Sequence, residues 1–73
     1  MIRDREVADE ICKLLLAVSG SLDGSVELVQ KRCSEEEFVE YRRGVARVLG
    51  EMYFELLKPL YAMNPTIKPP ELE

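Results

Sequence analysis

The stretch SEEEFVEYRRGVARVLGEMYFELLKPLYAMNP, from Ser34 to Pro65, decides the fold. Ser34 followed three residues later by Glu37 is a capping-box signature, in which each side chain bonds the other's backbone N–H. Glu35, Glu36 and Glu37 put negative charge at the positive end of the helix that starts there. Phe38, Tyr41, Val45, Val48, Leu49, Met52, Leu56, Leu60 and Met63 then recur every three or four residues, which predicts one amphipathic helix over 35–63. Asn64-Pro65 stops it, because proline disfavours the helical region for the residue before it and has no N–H of its own.

Upstream, Asp4 is a candidate N-cap for a helix over about 4–32, with Val7, Ile11, Leu14, Leu15, Val18, Leu22, Val26, Val29 and Cys33 at the same spacing. The segment 19–25, SGSLDGS, reads by composition as a break, since an internal glycine costs about 1 kcal/mol relative to alanine. The apolar phase continues through it, however, with Leu22 and Val26 on the stripe and Gly20 and Gly24 opposite, so one continuous helix is the favoured reading. Only Cys33 and Ser34 separate the two helices, the short connection of an antiparallel hairpin. The fold class is therefore all-α. Residues 1–64 form a helical hairpin, and residues 65–73, rich in proline, form an extended tail with Ile67 and Leu72 as its anchors.

Two features go beyond a simple hairpin. Pro59 removes the N–H that would bond the Glu55 carbonyl, so the second helix is expected to bend there or to restart with Pro59 in its first turn. Ala46, Tyr53 and Leu57 lie beside the main stripe, with Phe54 and Tyr61 further round, so the apolar arc is wider than one neighbour covers. A chain of 73 residues holds a single domain, and a core of that size rarely supplies more than about 3 to 5 kcal/mol without a staple. Dimerisation into a four-helix bundle is the expected remedy, through Val45, Leu49, Met52, Tyr53, Leu56, Leu57 and Leu60.

Other chemistry is constrained by composition. With no histidine, the chain lacks the commonest general base and metal ligand, and no cofactor is expected. Cys12 and Cys33 would lie about 30 Å apart on one helix and could not bridge, which suits reduced thiols and a cytoplasmic protein. A net charge of −4 works against nucleic acid or anionic lipid as a partner. No apolar run near the N-terminus is long enough for a signal sequence or a membrane span. Arg5 with Asp9, Asp9 with Lys13 and Glu27 with Lys31 are solvent-side pairs four residues apart.

Arg42, Arg43 and Arg47 are the one cationic cluster. Arg42 projects to the edge of the apolar arc, either into an ion pair across a dimer or as a site for an anion or acidic partner. The function expected is a small non-enzymatic protein-protein interaction or regulatory module acting as a homodimer. The alternatives are a nucleic-acid-binding hairpin dimer using the three arginines and, further off, a helical enzyme working by electrostatic preorganisation without histidine.

Overall fold

Asp4 opens the first helix as its spacing predicts: its carboxylate accepts the backbone N–H groups of Glu6 at 3.0 Å and Val7 at 3.2 Å. In the computed structural model, which describes residues 1–67, helix α1 then runs without interruption over Arg5–Arg32. The apolar phase carries the helix through 19–25, with Leu22 and Val26 half-buried, while the serines turn their hydroxyls back onto the helix. Ser19 Oγ donates to the Leu15 carbonyl at 2.9 Å and Ser25 Oγ to the Leu22 carbonyl at 2.6 Å. Of the three charge pairs expected, Asp9 and Lys13 meet at 3.0 Å. Arg5 with Asp9 and Glu27 with Lys31 do not come within bonding distance.

The chain turns at Cys33 and Ser34 and enters helix α2, Glu35–Met52, through the expected capping box. Ser34 N–H donates to Glu37 Oε1 at 2.9 Å, and Glu37 N–H donates to Ser34 Oγ at 3.2 Å. The Ser34 backbone N–H first, and the Ser34 hydroxyl second, hold the Glu37 carboxyl below the usual carboxylate range.

The second arm differs from a plain helix over 35–63. A π-helical turn occupies Tyr53–Leu57, with Lys58 N–H bonded to the Tyr53 carbonyl five residues back, and helix α3 follows over Lys58–Met63. Pro59 falls in α3, which continues from the π turn with helical dihedrals at Leu57 and Lys58, so the expected disturbance takes the form of a π turn ahead of the proline and not of a break. The π turn accommodates one extra residue beside the proline. Backbone dihedrals stay in the right-handed helical region at Tyr53 and Lys58.

The arm ends at Asn64, as the Asn-Pro pair predicts. The next three residues are not extended: Pro65–Ile67 forms a 3-10 turn closed by Ile67 N–H on the Asn64 carbonyl at 3.1 Å. Pro65 supplies the fixed φ such a turn needs, and the turn lets Ile67 pack against the core. Ile67 is thus an anchor as expected, while Leu72 and the rest of the tail, 68–73, lie outside the described residues.

The core sits at the end of the hairpin away from the turn. Ala8, Cys12 and Leu15 of α1 pack on Leu57, Leu60 and Tyr61, with Ile2, Ile11, Met52 and Ile67 half-buried around them. Among the described residues, Val45 alone is buried toward the turn. Cys12 Sγ donates to the Tyr61 hydroxyl at 3.6 Å inside the core, whereas Cys33 is exposed at the turn. The hairpin measures 44 × 20 × 16 Å, the dimensions of two helices side by side in a single layer.

Candidate interaction surface

The surface begins with which apolar side chains each arm leaves uncovered. A helix packed on one neighbour buries one seven-residue seam, and in α1 that inward seam is Ala8, Leu15, Leu22 and Val29. Their neighbours one residue back, Val7 at 44% exposure and Leu14 at 55%, stay in solvent. On the second arm Val45 and Leu60 face inward and are buried, while Val48 remains 53% exposed.

Nearer the turn, between the two arms, lies a groove of about 620 Å³. Leu22, Val29 and Cys33 form its α1 wall, and Tyr41, Val45 and Val48 its α2 wall, with Gly44 leaving the rim low. Tyr41 marks its edge: the phenol oxygen lies 2.7 Å from Ser25 Oγ, a hydrogen bond that ties the arms together across the mouth. Sequence reasoning missed this pair, because a serine within a glycine- and serine-rich stretch reads as a break and not as a cross-arm partner. Glu37 and Glu40 line one end of the groove, and its walls are otherwise largely apolar.

The residues singled out for dimer contact are split by the fold. Val45, Leu57 and Leu60 are buried within a single chain, and Leu49 and Met52 are half-buried. Tyr53 and Leu56 remain exposed, each at 38%. The wide apolar arc therefore divides in two: part is satisfied by α1 and the N- and C-terminal ends, and part faces outward.

The arginine cluster does not converge. Arg42 lays its guanidinium 5.1 Å from the centre of the Phe38 ring with its head in solvent, which uses the apolar edge without a carboxylate. Arg43 and Arg47 are exposed, and among the described residues no arginine forms an ion pair. A second cation–ring contact joins Lys58 to Phe54 at 5.5 Å, and Phe54 meets Tyr53 edge-on at 5.4 Å between ring centres. Among the described residues, no cluster of acidic or cysteine side chains could hold a metal ion, and no helix is long and apolar enough to cross a membrane. Comparison with protein-family models, with curated proteins and with solved structures finds no match for this chain.

Proposed function

We propose that this protein is a small, non-enzymatic protein-protein interaction module that works as a helical homodimer, two hairpins closing into a four-helix bundle. The observation that supports it is the open apolar groove between α1 and α2, lined by Leu22, Val29, Val45 and Val48. Solvent-exposed apolar surface of this kind, rimmed by polar residues, is characteristic of docking surfaces. The hairpin also lacks a second layer, and domains are ordinarily built from two packed layers around one core.

A binding role suits the residue chemistry, since a chain without histidine has few routes to acid–base catalysis near neutral pH. An acidic net charge disfavours nucleic acid as the partner, and three arginines that do not converge add little to that reading. A cytoplasmic setting suits two free thiols, one buried within α1 and one exposed just past its end. Sedimentation equilibrium at micromolar concentration tests the proposal. A cooperatively folded dimer is the expected result, and a cooperatively folded monomer overturns it.

A further inference from the structure

Resting on the homodimer reading, we infer that the second copy seats along one side only of the hairpin, the side on which the groove opens. On α1 that side carries Val7, Leu14 and Val18, exposed at 44, 55 and 38%. The sequence spacing places Ser25 in line with Val18, one heptad further on. Because the Ser25 hydroxyl bonds Tyr41 at the groove mouth, this outward seam lies on the groove side.

The second arm supplies the matching seam, and the π turn keeps it straight. Tyr41 and Val48 are seven residues apart, but the next exposed member, Leu56, comes after eight. In an uninterrupted α-helix the extra residue would rotate Leu56 by about 100° off the line. The π turn over Tyr53–Leu57 absorbs that residue. The inward seam shows the same correction: Val45, Met52 and Leu60 are spaced seven and then eight, yet Val45 and Leu60 are both buried against α1 or the core. Both seams of the second arm therefore run parallel to its axis through the bulge.

Two adjacent apolar seams per helix are what a four-helix bundle requires, since each helix there has two neighbours. One hairpin uses one seam per arm and leaves the other open on the groove side, with Leu16 and Phe54 as separate exposed residues elsewhere. Another copy of this chain fits that side because it brings two seams of the same length and spacing, as a two-fold interface demands. None of the seam residues is charged, and the carboxylates on this side, Glu37 and Glu40, lie in the lining of the groove. Over all of its faces the chain exposes 5606 Å², about 1,000 Å² more than the area–mass relation gives a compact monomer of 8.4 kDa, where a standard interface takes about 800 Å² from each partner.

The test compares charges placed on and off this side, by sedimentation with circular dichroism as the control for folding. Leu14→Glu and Val48→Glu should weaken the dimer at least tenfold while helical content is kept. Leu16→Glu and Phe54→Glu, at residues also solvent-exposed, 38 and 63%, but outside the seams, should leave it as in wild type. If the glutamate variants lose helicity, Leu14→Ala and Val48→Ala remove contact area without adding charge and should still raise the dimer dissociation constant several-fold. A wild-type dimer that tolerates the seam substitutions, or that dissociates through Leu16 or Phe54 instead, overturns this inference and leaves dimerisation intact. A wild type that is monomeric overturns the homodimer reading itself and leaves the apolar side to a different protein.

Discussion

Asn64 donates a hydrogen bond from its side-chain nitrogen to the backbone carbonyl of Ile2 at 2.8 Å, joining the residue that ends the second arm to the segment that precedes the first. Asn64 is itself buried, and the same nitrogen lies 3.5 Å from the Leu60 carbonyl. An amide group can do this where most helix-ending residues cannot, because it donates two N–H bonds while its backbone turns the chain toward Pro65. Asn64→Ala should cost about 1 kcal/mol in global stability. Hydrogen exchange should show the larger local effect, with faster exchange in the first turn of α1 and little change near Ser34; equal protection at both ends would remove the clamp from the account.

Leu60 is fully buried, whereas Phe54 is larger and 63% exposed. Leu60→Ala should destabilise by about 2 to 5 kcal/mol, and Leu57→Ala by a similar amount, through lost transfer energy plus the cavity left behind. Phe54→Ala removes more apolar surface but should cost about 1 kcal/mol or less, the worth of its contacts with Tyr53 and Lys58. Urea unfolding of the three variants checks the order, and a Phe54 effect exceeding that of Leu60 would relocate the core.

Glu37 gives the start of α2 a pH dependence. Its carboxyl is held below the ordinary value by the Ser34 backbone N–H first and the Ser34 hydroxyl second. A carboxyl depressed in the folded state contributes stability that is fully present above the unfolded pKa, about 4.3, and is lost as pH falls through the lower folded value. Glu37→Gln keeps a hydrogen-bond acceptor without the charge. The thermal stability of wild type should exceed that of Glu37→Gln near neutral pH, and the gap should close as the solution is taken below about pH 4. A gap independent of pH would mean that the box acts through hydrogen bonding alone.

Gly20 and Gly24 sit inside α1, and a Cβ built on either meets nothing within 4 Å. Alanine there should add about 0.5 to 1 kcal/mol each by restricting the unfolded chain and favouring the helix. Thermal unfolding of the single and double variants measures this. No gain at either position would show that the exposed side of α1 is occupied or that the helix opens there in solution.

Arg42→Ala should change stability by about 1 kcal/mol or less, because the guanidinium is exposed over Phe38 and strands no carboxylate when it is removed. Denaturation of Arg42→Ala beside Arg43→Ala and Arg47→Ala checks it. A loss of several kcal/mol at Arg42 alone would reveal a buried ion pair formed only in the dimer.

Much of this architecture is local and was legible in the sequence. Asp4 and Ser34 cap helices through bonds to residues two and three positions away, the Asn64-Pro65 pair ends a helix by its own dihedral limits, and apolar spacing carries α1 through Gly20 and Gly24. Such features need no knowledge of what lies across the chain. The π turn was legible only as a disturbance at Pro59, since a proline says that a bond is lost and not how the surrounding turn absorbs it. The turn over Pro65–Ile67 required the core against which Ile67 packs. The division of the apolar arc was set by tertiary packing in the same way. Helical periodicity puts Val45, Leu56 and Leu60 on one face, but the π turn and the position of α1 together determine that Val45 and Leu60 are buried while Leu56 stays in solvent. Burial depends on which surfaces come together, and one helix's own period cannot specify where its neighbour's edge will fall.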